Sequence, residues 1–260
     1  MDRKRKMMAF MLTLGTLQFC LAQSQQPAYD VVTIRPHAPG DPQTDVDADN
    51  HSFRAKNLRI KTLLSVGYGI REDLISGMPK WAEDARFDLN AKVVEEPGNG
   101  WKISREQRAA MLAAVLEDRF RAKVHFETKE LPVYNLVAAK GGAKLLAGPA
   151  KDSKMGPGST MIRNHVMTTE EVPMSSLTEM LGQQLQRTVI DKTGLAEKYS
   201  FTLTWTPEQL SGNSHANGLS DDAPPSIFTA LQEQLGLKLE AGKGPVKTLV
   251  VDHIEMPTGN

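Results

Sequence analysis

One apolar pattern occurs twice in this chain at almost constant spacing, and that limits the folds open to it. Trp81-Ala82-Glu83 and Phe87-x-Leu89 return as Leu195-Ala196-Glu197 and Phe201-x-Leu203, 114 residues later. The same offset of 114 carries Phe53 onto Met167, Leu58 onto Val172, Ile60 onto Met174, Leu63 onto Leu177, Val66 onto Met180 and Ile75 onto Val189. A second series runs at 115: Leu116 falls on Leu231, Phe120 on Leu235, Ala122 on Leu237, Val124 on Leu239, Tyr134 on Leu249 and Leu136 on Val251. Two series that differ by one residue predict a single module built twice. The recurring positions are apolar, so they describe packing rather than chemistry.

Local patterns fill in the module. Tyr29 to Ile34 alternates and is rich in β-branched residues, as a strand is. Phe53-x-Ala55 predicts a short strand, with Asn57 as the N-cap of a helix whose apolar side is Leu58, Ile60, Leu63, Leu64 and Val66. Gly67 and Gly69 end that helix. Ile75 marks a short strand, and Phe87 to Val93 alternates as a half-buried one. Glu95 to Gly100 is a turn. Ser104-x-x-Gln107 is a capping box ahead of a helix with Met111, Leu112, Val115, Leu116 and Phe120 on one face. Two strands follow, Ala122 to Phe126 and Pro132 to Ala138.

In the second copy Ser176-x-x-Glu179 reads as a capping box, Thr188 to Ile190 and Tyr199 to Trp205 as strands, and Pro224-Pro225-Ser226 as the lead into a helix with Ile227, Phe228, Leu231 and Leu235 inward. Leu237-x-Leu239, a Gly242-x-Gly244-Pro245 turn and a strand from Thr248 to Ile254 close the chain. The expected fold is α+β, with two tandem β-α-β-β-α-β-β modules whose helices pack on small mixed or antiparallel sheets. The first module spans 23–146 and the second 161–260. The Gly/Pro/Lys-rich stretch 147–160 reads as the linker, and 207–224 as an exposed loop.

Residues 1–22 begin Arg3-Lys4-Arg5-Lys6, continue with an apolar run from Met7 and end at Ala22. This predicts a cleaved secretory signal peptide, the run being too short and too weakly apolar to span a membrane comfortably. Acylation at Cys20 is disfavoured because Gln18 and Phe19 stand where small residues are wanted. Cleavage would take four basic and one acidic residue from a balanced 31 and 31, leaving 27 against 30. A mildly acidic protein without a basic tract is a poor nucleic-acid binder. Cys20 is the only cysteine, so the expected mature chain has no disulfide, thiolate nucleophile or cysteine-bound zinc.

A resemblance runs through the same residues. It is carried by Leu58-Arg59-x-x-x-Leu63-Leu64 through Tyr68-Gly69-Ile70, Gly77-x-Pro79-x-Trp81, Arg119-Phe120, Glu127 to Tyr134, Val189 to Leu195 and Phe228 to Leu239. On these the chain resembles the soil-associated family of uncharacterised exported proteins abundant in acidobacteria, over nearly the whole expected mature chain. The resemblance implies no established activity. Some relatives look fused to membrane metallopeptidase-type sensor proteins, which implies a sensing or binding role. The module itself is similar to the short N-terminal domain of secretins and TonB-dependent receptors, through Phe228, Leu231, Gly236, Leu237 and Leu239. Those domains bind protein partners in the periplasm.

Few residues offer chemistry. Asp191-Lys192-Thr193-Gly194 looks like the phosphorylated-aspartate motif of P-type ATPases, but Leu195 stands where that motif needs Thr, and Asp with Gly supplies turn geometry. Asp45, Asp47 and Asp49 alternate as at the start of a calcium loop. Asn50 replaces its glycine and Lys56 its bidentate acid, so a solvated acidic loop is the expectation. His37, His51, His125, His165, His215 and His253 show no helical metal spacing, and no nucleophile elbow or phosphate loop is present. Trp81, Trp101, Trp205 and Tyr68 are expected mainly as partly buried packing groups.

The resulting expectation names no catalytic residue, cofactor or metal. It is an exported binding or interaction protein, non-enzymatic and part of an envelope sensing system, whose partner is an envelope or extracellular protein or a small ligand. The sheet edges and the cleft between the modules are the expected contact surfaces. The alternative is an exported hydrolase with a site assembled from dispersed residues.

Overall fold

The computed structural model describes residues 28–38, 40–94, 102–151, 154–206 and 224–257. The expected signal segment 1–22, the expected turn at 95–100, Trp101, His215 and nearly all of the expected loop 207–224 lie outside the described residues.

Three four-stranded sheets carry the helices. The first contains β1 (Val31–Pro36), β2 (Asp45–Ala48), β3 (Ser52–Arg59) and β5 (Arg86–Lys92), in the order β1-β5-β3-β2 and antiparallel throughout. Its helices are α1 (Ile60–Tyr68), the short α2 (Lys80–Asp84) and α3 (Arg105–Arg119). Another sheet has the corresponding order β7-β11-β9-β8, built from β7 (Leu146–Ala147), β8 (Ser159–Arg163), β9 (Val166–Val172) and β11 (Tyr199–Thr204). It carries α4 (Met174–Gln184) and α5 (Ile227–Ala230), which runs on as a π-helical stretch through Leu235. Between them lies a mixed sheet, β10-β6-β12-β4, from β4 (Ile75–Ser76), β6 (Lys123–Ala138), β10 (Val189–Asp191) and β12 (Leu237–His253). This is an α+β fold with helices on small mixed and antiparallel sheets.

Both offsets have geometric counterparts. β3 is interrupted between Ala55 and Leu58, where Asn57 takes a left-handed φ of 56°. One offset of 114 later, β9 contains Glu171 at φ 46°, beside the register shift opposite Tyr199 and Phe201. α1 starts at Ile60 and α4 at Met174. Arg121 (φ 52°) ends α3 and Gly236 (φ 63°) ends the π stretch, 115 residues apart. The register departs from a gap-free repeat in one place. Ala55 pairs with Leu89, while Thr169 pairs with Phe201 rather than Leu203. The second sheet is therefore two residues shorter between helix and strand, in the region where α2 stands in the first.

Several expected elements take a different form. Asn57 is not a helix cap but the bulge residue of β3, and the N-cap is Arg59, without a side-chain bond. Ser176 lies inside α4, whose N-cap is Pro173, so the second capping box does not form. The Ser104–Gln107 box does form: Gln107 N donates to Ser104 Oγ at 3.1 Å and Ser104 N to Gln107 Oε1 at 2.9 Å. The stretch read as linker contains Ala147, which with Leu146 forms β7 against β11.

The largest difference is at the two expected closing hairpins. Each is a single long strand, and β6 and β12 pair antiparallel from Leu237–Ala138 to His253–Lys123. Pro132 and Pro245 do not break this ribbon. Tyr134 N donates outward to Thr188 O at 2.9 Å. With a period of two, the nitrogen of Pro132 lies on the same outer side, where β12 needs no donor.

The ribbon crosses the cores. One core gathers β1, β3, β5, α1 and α3 around Leu63, Leu64, Phe87, Leu112, Leu116 and Phe120, and takes in Leu249, Val251 and Ile254 from the end of the chain. Phe87 and Phe120 meet edge to face at 5.1 Å. The other core packs β9, α4, β11 and α5 and receives Leu136 from β6. Parallel pairing repeats the exchange: Ile75 of β4 sits opposite Leu249 of β12, and Val189 of β10 opposite Tyr134 of β6.

Candidate functional site

Three places concentrate polar groups or concavity. The first lies where β1 leads into the 37–44 segment. β1 pairs with β5 with Arg35 opposite Asp88, which brings His37 beside Asp88 although 51 residues separate them. His37 Nδ1 lies 2.7 Å from Asp88 Oδ1, and Nε2 lies 2.9 Å from the Asp41 carbonyl. Both partners are acceptors, so the ring satisfies both only as an imidazolium donating from each nitrogen. The Asp41 carbonyl, then Asp88, accordingly raise the His37 pKa above its ordinary value. The side chain is only 7% exposed.

Asp88 also accepts from Asn57 N at 2.8 Å, and Arg86 Nη1 donates to Asn57 O at 3.1 Å. Burial alone would raise the Asp88 pKa, but the Asn57 N–H and His37 outweigh it and hold the carboxyl low. Lys56 Nζ contacts Asp41 at 2.6 Å and lowers the Asp41 pKa. His37, Asp41, Asn57 and Arg86 line an open concavity of about 770 Å³. Its histidine has no lone pair left to take a proton from a substrate. As built, it clamps the left-handed bulge at Asn57 to the segment after β1.

The second place is an exposed cluster on the β6–β12 ribbon. His125 Nδ1 lies 2.8 Å from Asp252 Oδ2 and Nε2 3.2 Å from Glu127 Oε1, while Lys129 pairs with Glu127 at 3.0 Å. Asp252 and then Glu127 raise the His125 pKa. The two carboxylates sit on opposite ring nitrogens, an ion-pair ladder rather than a convergent set. Among the described residues no group of three or more His, Cys, Asp or Glu side chains is arranged to hold a metal ion.

The third is a cleft of about 670 Å³ between α1 and the start of α3 on one side and α4 on the other. Val66 and Ile70 give it an apolar wall, Arg105 and Glu106 stand at the α3 end, and Thr178 and Glu179 come from α4. Arg71 spans it. Nε and Nη2 donate to Asp73 at 2.9 and 2.8 Å, and Nη1 donates to Thr188 Oγ1 at 3.4 Å. Val66, expected on the packed face of its helix, is 40% exposed instead.

The residues singled out by motif are placed differently. Asp45 and Asp47 lie on β2 opposite Lys56 and Arg54, and Asp47 pairs with Arg54 at 3.8 Å. Asp49 closes the β2–β3 turn by accepting from His51 N at 2.7 Å and Ser52 N at 2.6 Å. The Asp47 and Asp49 carboxylates are thus committed to a charged hairpin and its turn, and Asp45 stands opposite Lys56 on the same hairpin. Asp191 accepts from Thr193 N at 2.9 Å and Thr193 Oγ1 at 2.7 Å, and Gly194 takes φ 75°, which is a turn after β10.

Trp205 is buried in the second core and Trp81 packs against the first, so no aromatic groove joins them. Tyr68 stacks edge to face on Phe126, and burial with neighbouring Glu117 pushes its pKa up to about 12. The sequence reading missed the His37–Asp88–Asn57 clamp. The only signal available was His37 itself, since strand register alone brings its partners near.

Fold and site together define an α+β protein of three small sheets, the outer two alike in strand order, with a cleft between α1 and α3 on one side and α4 on the other. The chain belongs to the DUF3738 family of proteins of unknown function, whose model matches residues 61–254. No curated protein matches, and no solved structure does. Among the described residues no helix is long and apolar enough to cross a membrane.

Proposed function

We propose that this chain is an exported binding protein and that the cleft between its halves is its contact surface. The observation that carries the reading is that cleft: about 670 Å³ of concavity with an apolar wall at Val66 and Ile70 and charges of both signs at its ends. Such a lining suits a peptide-like or amphipathic ligand, which needs apolar contact along its length and polar fixing at its ends. The basic-then-apolar pattern of residues 1–22 supports export. The resemblance to the exported soil-associated family, and of the module to partner-binding periplasmic domains, supports a role in the envelope. The exhausted donors and acceptors of the His37 and His125 clusters favour scaffold over catalysis at those places.

The test is a photo-crosslinking side chain at Val66, compared with one at exposed Lys129 on the ribbon, each in the full chain in cell envelopes. A discrete adduct from position 66 alone supports the reading. Equal labelling from both positions, or substrate turnover by the purified protein without any adduct, overturns it and favours a dispersed hydrolase site.

A further inference from the structure

The two outer sheets have equivalent edge strands, β2 and β8, but protect them differently. An open edge presents unpaired N–H and C=O groups, and proteins normally blunt it with charge. β2 follows that rule, with Asp45 and Asp47 facing Lys56 and Arg54 across the hairpin. β8 does not. Its residues are Ser159-Thr160-Met161-Ile162-Arg163, and Met161 and Ile162 are 45% and 47% exposed. The strand is nevertheless held firmly. A two-residue turn with Asn164 at φ 48° and His165 at φ 60° joins it to β9 in the primed-turn conformation that matches strand twist.

That turn fixes which groups face outward. In a two-residue hairpin the closing pair, Arg163 with Val166, exchanges hydrogen bonds. Met161 and Thr168 are the next such pair inward. Thr160 and Ile162 therefore turn their N–H and C=O groups away from β9, toward the edge of the sheet, where no strand among the described residues pairs with β8. Ile162 lies opposite Met167, a fully buried core residue, so its side chain stands at the uncovered margin of the second core.

We infer that the β8 edge is a strand-addition site and that its occupant is β8 of a second copy of this chain, running antiparallel about a two-fold axis at Met161. The strand is self-complementary in that register. Thr160 of one copy pairs with Ile162 of the other, twice, so all four outward N–H groups find carbonyls. Met161 meets its own symmetry mate on the outer face as a non-hydrogen-bonded pair, where side chains are closest. The one charge, Arg163, faces Ser159 of the other copy instead of a like charge. The Thr160–Ile162 pairs continue the second core across the seam. A five-residue seam buries less than the roughly 1,200 Å² of a standard stable interface, so the dimer is weak and concentration-dependent. It is separate from the cleft and does not depend on a ligand there.

Sedimentation of the full chain from micromolar to millimolar concentration should show a reversible monomer–dimer equilibrium. Ile162→Lys, at a position already half exposed, should shift the dissociation constant upward by at least tenfold while leaving the circular dichroism unchanged. Thr160→Pro removes an outward N–H without touching the β8–β9 ladder and should act in the same direction. A Met161→Cys variant, in a Cys20→Ser background, should form a disulfide-linked dimer under mild oxidation, and adding Ile162→Lys should suppress it. A chain that stays monomeric at millimolar concentration overturns the proposal. So does a dimer indifferent to both edge substitutions. A Met161→Cys variant that couples to a different envelope protein in preference to itself would assign the edge to a foreign strand instead.

Discussion

His37 ties together three pieces of chain that are distant in sequence: the end of β1 that bears it, the Asp41 carbonyl, and Asp88 of β5. Asp88 in turn holds the N–H of Asn57, whose left-handed conformation is unusual for a residue with a side chain. The clamp therefore stabilises a locally strained bulge, and it has a pH signature. The folded pKa of His37 lies above its ordinary value of 6.5. A group raised on folding stabilises the native state fully below its unfolded pKa, and that contribution fades as pH rises through the folded value. Wild-type chain should thus lose urea resistance as pH rises above about 6.5, the unfolded value. His37→Gln should flatten that slope and lower stability most at acidic pH. Urea midpoints measured across pH for the two chains, each in a His125→Gln background that removes the other raised histidine, check this. Parallel slopes would show that the clamp does not exist. None of this could be read ahead of the fold. Residue 57 carries an Asn before an apolar helix, which is also how an N-cap looks, and only the β1–β5 register brings residue 88 to residue 37.

At the scale of elements, the ribbon of β6 and β12 shows where sequence patterns mislead and where they hold. Helix faces and short strands follow from apolar spacing because one side of each is buried, as at Leu63, Leu64, Leu112 and Leu116. The ribbon defeats the same reasoning. Pro132, Gly242, Gly244 and Pro245 are turn formers, and a turn is the ordinary inference from them. They are tolerated here because the middle of the ribbon is only two strands wide, so each strand has an outer side where a missing donor costs nothing. Their small size also has a use: a Cβ added at Gly244 would stand 2.8 Å from Ile190 Cδ1 of β10.

A more demanding contact is at Gly77, just after β4. Its φ is 80°, and a Cβ there would lie 2.5 Å from the Val251 carbonyl oxygen of β12. Gly77→Ala meets both a backbone conformation costing on the order of 1–3 kcal/mol and a rigid backbone neighbour. It should lower the melting temperature clearly and weaken β4 docking. Hydrogen exchange at Leu249 and Val250, which β4 faces, should speed up more than exchange in β9. Unchanged exchange at those two positions would show that β4 contributes nothing to holding the ribbon's end.

At the scale of the molecule, many of the residues related by the offsets pack, Val66 at 40% exposure being an exception, but the offsets do not say whose core they pack into. A repeat in sequence suggests beads on a string; here β6 and β12 each run from one core into the other. Tyr134 and Leu249 are equivalent at offset 115, yet Tyr134 lies against the second core and Leu249 is buried in the first. Sequence spacing is blind to this because exchanging two similar strands leaves every local pattern unchanged. Its consequence is thermodynamic. If each core needs a strand from the other half, neither half keeps its stability when the other opens, and the chain should unfold in one transition.

Leu249→Ala removes a fully buried side chain from the first core and should cost about 2–5 kcal/mol. In a Trp81→Phe, Trp101→Phe background the remaining tryptophan, Trp205, sits in the second core at 3% exposure. The interlocked fold requires the Trp205 fluorescence midpoint in denaturant to fall by as much as the circular dichroism midpoint. Two independent modules would leave the Trp205 midpoint where it was and split the circular dichroism transition in two.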